Sequence, residues 1–276
     1  MALTKKREEF LKEKCRSSRQ TIIELLHKIK TGHPGGSLSC VEILTVLYYE
    51  KMHIDPQDAK NPRRDMFVLS KGHAAPALYI VLADLGFFPK DELPTLRQLN
   101  SNLQGHPCAL KTNGVELSTG PLGLGVSAAV GMACAAKLDG ADEYTYVLAG
   151  DGELQEGIVW EALMSASKYK LDNLIIIVDC NGVQLDGTVA EIMPLGSLKD
   201  KLSAFGCHVL EVDGHDVRAL DDILTKAKKV KGAPVCVLAQ TVKGKGVSFM
   251  EGKNTWHGKA IGQEDYEKAV LELGAK

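Results

Sequence analysis

Short, nearly continuous Val/Ile/Leu runs alternate with helical stretches along most of the chain, and this constrains the fold more than any other feature. The runs DMFVLS (65–70), EYTYVLAGD (143–151), NLIIIVD (173–179), CHVLEVD (207–213) and APVCVLAQT (233–241) each have the length of a strand. Helical patterns cover 73–86, 122–138, 156–169, 197–205 and 216–229. A strand that is apolar at almost every position is covered on both faces, and strand–helix–strand alternation returns through right-handed crossovers. The pattern therefore predicts an α/β fold: a single doubly wound, mostly parallel sheet with helices on both faces. A long helix is expected over 5–30, with Ile22, Ile23, Leu25, Leu26 and Ile29 supplying its apolar face. Its Lys and Arg residues alternate with Glu8, Glu9, Glu13 and Glu24 and read as a solvated face. TGHPGGS (31–37) reads as a loop, 39–49 as helix, and the tail 247–276 ends in a helix. No linker or repeat interrupts the pattern, so 1–276 reads as one domain.

Composition narrows the function classes. With 276 residues, 45% hydrophobic and 25% charged, disordered, collagen-like and coiled-coil classes are excluded. No apolar run approaches the ~18–20 residues of a membrane span. The first twenty residues carry charges of both signs and no apolar core of a secretory signal. A net charge of −2 gives no reason to expect nucleic acid. The expectation is a cytoplasmic protein with neither membrane nor nucleic-acid partners. Seven cysteines at wide, irregular spacings, without a C-x-x-C pair, read as reduced, packed thiols.

In sheets of this kind, ligands bind beyond the carboxyl ends of the strands. Two runs end in a carboxylate followed by small or polar residues: Gly150-Asp151-Gly152 and Asp179-Cys180-Asn181-Gly182-Val183. The glycines let the backbone turn sharply and approach a ligand. Asp151 and Asn181 are 30 residues apart, the length of one strand–helix–strand unit, so adjacent strands would bring both to one sheet end. A carboxylate, an amide oxygen and a backbone carbonyl are hard ligands suited to Mg²⁺ or Ca²⁺. Mg²⁺ usually keeps places for phosphate and water, which points to a phosphorylated cofactor. Each residue alone has a plainer reading, Asp151 as a helix cap and Asn181 as a turn residue. Their joint occurrence favours the ion.

The stretch GDGELQEGIVWEALMSASKYKLDNLIIIVDCN (150–181) resembles the thiamine-diphosphate motif, which begins GDG and ends in Asn. By position, the resemblance assigns Asp151, Asn181 and the main-chain carbonyl of Val183 to Mg²⁺, with Ca²⁺ or Mn²⁺ as substitutes. It brings the backbone of Gly152 against the diphosphate. TGHPGGS (31–37), LSKGHA (69–74), GHP (105–107) and STGPLG (118–123) further resemble transketolase, in transketolase order. Trp256-His257-Gly258 resembles the last histidine of that family's N-terminal domain. The resemblance spans nearly the whole chain and implies the thiamin-diphosphate-binding fold, with thiamine diphosphate as cofactor.

Four of the eight histidines, His33, His73, His106 and His257, sit in Gly- or Pro-rich loops. A ketol donor needs partners for its C1 hydroxyl and for a C2 carbonyl that becomes an alkoxide, and imidazole can donate to that oxygen or move its proton. The resemblance implies that His33 and His257 line the donor's reacting end and that His106 contacts the C1 hydroxyl. It also implies that His73 touches the diphosphate, that His257 contacts the cofactor as well as the donor, and that Gly120, Pro121 and Leu122 wall the cofactor. His27, His53 and His208 read as structural or surface residues, and His215 as the start of a helix. Glu156 is balanced between helix-opening and subunit-interface roles; Glu161 reads as structural.

Two stretches mimic other motifs. GLGVSA (123–128) has the form of a dinucleotide fingerprint but follows no strand. TVKGKG (241–246) lacks the spacing of a phosphate loop and reads as a mobile loop over the site, with phosphate contact by Lys243 or Lys245 as a minor alternative.

A complete transketolase carries three domains, and this sequence matches the first. The family's second domain grips the aminopyrimidine ring and supplies the glutamate that activates it; no second α/β unit here could do so. The expected protein is one subunit of a split transketolase. A separate chain would carry the pyrimidine-binding and C-terminal domains, in an α₂β₂ assembly. The expected reaction moves a two-carbon ketol unit from a ketose or its phosphate to an aldose or its phosphate. One rival, an α-type subunit of a 2-oxoacid dehydrogenase, shares GDG…N but not the GHPGG, KGHA and STGPLG set. Another, a non-catalytic scaffold, has no need of ketol-contacting imidazoles.

Overall fold

Side-chain alternation divides every central strand between two cores. The structure, a computed structural model, describes residues 3–274. Helices α1 (Lys5–Ile29), α2 (Pro34–Leu38) and α3 (Val41–Val46) lead into β1 (Met66–Leu69). Helices α4 (Ala75–Leu85) and α5 (Leu124–Leu138) separate it from β2 (Thr145–Gly150). Then follow α6 (Gly157–Lys168), β3 (Leu174–Cys180), α7 (Val189–Ile192), α8 (Leu198–Ala204) and β4 (His208–Asp213). The chain closes with α9 (Val217–Ala227), β5 (Val235–Gln240) and α10 (Gln263–Gly274). All four strand pairings are parallel, in the order β1-β2-β3-β5-β4.

Phe67, Leu69, Tyr146, Leu148, Ile175 and Ile177 enter one core, with residues of α1, α3, α4 and α9. Val68, Val147, Ala149, Ile176 and Val178 enter the other, with α5 and α6. Each fully buried Val, Leu or Ile contributes about 1.5–3 kcal/mol, so a one-residue slip would be costly. Right-handed crossovers explain the helix placement. Passing from β2 through β3 to β4 keeps α6 and α8 on one face, and the return from β4 to β5 needs the opposite face, where α9 packs. The adjacent strands β1 and β2 likewise leave toward opposite faces, through α4 and α6. That divergence opens a crevice above their carboxyl ends.

Three local expectations differ from the structure. TGHPGGS contains α2: Pro34 presets the first helical φ, and the backbone N–H and hydroxyl of Ser37 both bond the His33 carbonyl, at 3.2 and 2.8 Å. Residues 39–49 divide between α3 and a π-helical turn, Leu47–Lys51. Arg19 is not on a solvated face; it is buried and doubly bonded to Glu42, at 2.5 and 2.7 Å. The cysteines are free thiols, as expected. No helix among the described residues is long and apolar enough to cross a membrane.

Candidate active site

A cavity of about 280 Å³ opens at this crevice, with Asp151, Asn181, Val183, Lys243, His73 and His257 among its lining residues. Pairing of Gly150 with Asp179 sets the ends of β2 and β3 level. Asp151 accepts from Gly152 N at 2.8 Å through one oxygen and from Gly182 N at 2.6 Å through the other. The carboxylate therefore reaches the loop that carries Asn181. Asn181 Oδ1 accepts from Val183 N at 3.1 Å. The plain capping and turn readings hold here, and the juxtaposition holds as well.

Among the described residues no cluster of three His, Cys, Asp or Glu side chains could bind a metal ion. An ion here would depend on amide and carbonyl oxygens and on its ligand's own phosphates. Two observations fit that set. Burial and the charge of Asp179 push Asp151 up to about 6, a penalty that an adjacent cation relieves. The Val183 carbonyl already accepts from a cation, the Lys243 ammonium, at 2.9 Å. That ammonium also lies 2.8 Å from His257 Nδ1, and burial, with the charge of Lys71, lowers it to about 8.

Beneath the cavity lies a layer that sequence reasoning missed. Lys71, only 1% exposed, forms an ion pair with the fully buried Asp179 and donates to Gly36 O at 2.9 Å. Asp179 also accepts from Ser39 and Thr241. Burial opposes both charges, yet their mutual attraction holds Asp179 below and Lys71 above its ordinary range. Asp179→Ala leaves an uncompensated ammonium in the interior. We expect a loss of about 3–5 kcal/mol, read as a lowered urea midpoint; an unchanged midpoint would show that the pair is dispensable. Glu153 was missed too. It accepts from Gly150 N at 3.0 Å and Gly123 N at 2.8 Å and bonds Ser70, tying the GDG turn to the start of α5.

The four loop histidines converge. His33 lies with its ring centroid 5.4 Å from those of His73 and His257 and 6.0 Å from that of His106. His73 and His257 are 5.0 Å apart. Burial lowers all four. Arg97 and His106 add to the effect at His33, which falls to about 4, and Lys243 adds to it at His257, which falls to about 3. Lys71 acts on His73 and Arg97 on His106. All four are neutral at pH 7, each offering one donor and one acceptor. The buried Nδ1 of His33 has no hydrogen-bond partner among the described residues.

Gly120 packs on the His106 ring, where an added Cβ would sit 3.8 Å away. Pro121 is exposed, and Leu122 lines the cavity while 39% exposed. Glu156 also lines the cavity, at the start of α6. In GLGVSA, Gly123 adopts φ +82° and a Cβ on Gly125 would meet the Ser70 backbone at 2.8 Å. Its glycines serve a turn and a close packing contact. TVKGKG is pinned, contrary to expectation: Gly244 N donates to Gly35 O at 3.0 Å and Thr241 bonds Asp179. His27 is structural, stacked on Tyr266.

This fold and this cavity define a parallel α/β protein with a ligand site at the carboxyl ends of its strands. Residues 12–276 match the family described as "Transketolase, thiamine diphosphate binding domain", and the chain belongs to that family. It is 43% identical over 268 residues to a subunit of the apulose-4-phosphate transketolase of Phocaeicola vulgatus, covering 97% of this chain and 95% of that protein. It is 45% identical over 255 residues to 6-deoxy-6-sulfo-D-fructose transketolase subunit SqwG of Clostridium sp., covering 92% and 93%. The solved transketolase from Leishmania mexicana superposes with a TM-score of 0.90 at 34% identity, over 96% of this chain but 41% of its own. The chain thus spans nearly all of the subunit relatives and about two-fifths of that solved transketolase.

Proposed function

We propose that this chain is the cofactor-anchoring subunit of a split, Mg²⁺-dependent transketolase, and that 1–276 forms its N-terminal diphosphate-binding domain. The observation that carries the reading is the cluster of four imidazoles, two of which, His73 and His257, line one cavity with Asp151, Asn181 and Val183. Asp151, Asn181 and the Val183 carbonyl would hold the cation, the Gly152 backbone would approach the diphosphate, and His73 would contact it. Gly120, Pro121 and Leu122 would form a backbone and apolar wall beside the cofactor. When bound, thiamine diphosphate supplies the nucleophilic carbon that takes up the ketol fragment.

Neutral His33 and His257 donate to the donor's C2 oxygen as its charge develops and carry its proton, while His106 fixes the C1 hydroxyl. A separate chain with the pyrimidine-binding and C-terminal domains completes the site, most simply as α₂β₂; two relatives named as subunits support the existence of a partner chain. Sugars or sugar phosphates are the substrates. Seven unpaired thiols suit a cytoplasmic setting.

The test is reconstitution with thiamine diphosphate, Mg²⁺ and the product of the adjacent reading frame. Ketol transfer between a ketose phosphate and an aldose phosphate is expected; 2-oxoacid decarboxylation instead would favour the dehydrogenase reading. His33→Ala should lower turnover by roughly 100-fold or more while sparing cofactor affinity. Normal turnover would make His33 structural.

A further inference from the structure

Behind the pinned loop, on the side away from the reacting centre, three side chains distant in sequence form one largely buried chain of hydrogen bonds. Arg19 of α1 bonds Glu42 of α3 through both terminal nitrogens. Glu42 lies 3.0 Å from His215 Nδ1, and His215 Nε2 lies 2.8 Å from the backbone N of Val242. An amide N–H can only donate, so Nε2 is the acceptor and the proton sits on Nδ1, pointing at Glu42. Arg19 Nε meanwhile donates to the Lys245 carbonyl at 2.9 Å. The network therefore grips the backbone on both sides of Lys243, whose ammonium faces the cavity. Burial alone would raise Glu42, but His215 and Arg19 hold it down at about 2, so its charge persists across the working range.

We infer that His215 is a positioning residue: as a neutral acceptor it locks Val242 and thereby keeps Lys243 aimed into the cofactor cavity. None of Arg19, Glu42 and His215 lines that cavity; they border a separate, smaller one.

The lock can be read in the full chain without cofactor, by hydrogen exchange of the Val242 amide. His215→Leu should speed that exchange roughly tenfold, the worth of one hydrogen bond, and leave β3 protected. His215→Gln keeps an acceptor for Val242 and a donor for Glu42 and should restore protection. The link to the cavity rests on the cofactor reading above. In the reconstituted complex, Leu should weaken Mg²⁺–thiamine diphosphate affinity roughly three- to tenfold, the cost of ordering a loosened loop, and Gln should recover it.

Unchanged Val242 exchange in the Leu variant would overturn the lock, as would a Gln variant as impaired as Leu. Faster exchange with unaltered affinity would overturn the positioning role. A wild-type complex that fails to bind the cofactor would sink the cofactor reading, while exchange still decides the lock. If the Leu variant does not fold, His215→Phe, which keeps a ring but has no acceptor for Val242, replaces it; Val242 exchange as slow in that variant as in wild type would refute the lock.

Discussion

Asp151→Ala should abolish Mg²⁺-dependent binding of thiamine diphosphate while leaving the cofactor-free chain nearly as stable as wild type. The two halves have separate causes. In the cofactor-free chain the substitution removes two hydrogen bonds, from Gly152 and Gly182, each worth about 1 kcal/mol. It also removes a buried carboxylate that burial and Asp179 already penalise. These effects oppose each other, so the melting temperature should move little. Binding has no such offset. Losing an outer-shell partner of a metal typically costs 10–100-fold in affinity, so losing a charged ligand should cost at least roughly 100-fold. Ligand stabilisation follows RT ln(1 + [L]/Kd), so wild type at 100 times Kd gains about 2.7 kcal/mol and the variant at the same concentration gains well under 1 kcal/mol. Calorimetry and thermal shift therefore test one claim independently. Unchanged affinity would remove Asp151 from the ligand set, whereas a large fall in cofactor-free stability would return it to the role of a turn cap.

How far this site could be read in the sequence follows from which contacts are local. The ends of β2 and β3 were legible because a carboxylate and an amide one crossover apart must meet when adjacent strands are parallel. The strands themselves were legible because burial on both faces leaves an unbroken apolar run. Lys71 and Asp179 were not, because their pairing joins β1 to β3 across an intervening strand that nothing in either segment announces. Helix α2 was hidden for a related reason. Gly-Gly is a poor helix sequence, and the bond from Lys71 to Gly36 O and the one from Gly244 N to Gly35 O that offset this come from distant segments. Lys243 could be singled out but not placed. The sequence pattern suggested a mobile loop, whereas Gly35, Asp179 and His215 hold it from three sides. Misreading Arg19 as solvated has the same origin: charge alternation on a helix does not reveal a buried Glu42 on another.

This chain alone, supplied with Mg²⁺ and thiamine diphosphate, should transfer ketol units at least roughly 1000-fold more slowly than the reconstituted complex. On the proposed reading, its side of the site would hold the charged end of the cofactor, and its imidazoles would orient the donor and move the C2 proton without activating the aminopyrimidine ring. The family resemblance puts the carboxylate that activates the aminopyrimidine ring elsewhere, and a missing general acid–base group costs 10²–10⁴-fold. Two of the three acids that line the cavity have other work. Glu153 is bonded to Gly123 and Gly150, and Asp151 to Gly152 and Gly182. The rim points the same way: Leu122 and Leu185 line the cavity while 39% and 57% exposed, apolar surface that a second chain can cover. Adding the partner should restore turnover in a titration that saturates near one partner per chain, the ratio of an α₂β₂ assembly. Glu156→Gln in this chain separates the two sources of the missing acid. If Glu156 were the activating group, the chain alone would show turnover that the substitution removes. Robust transfer by the chain alone would overturn the split-subunit reading, whichever residue proved responsible.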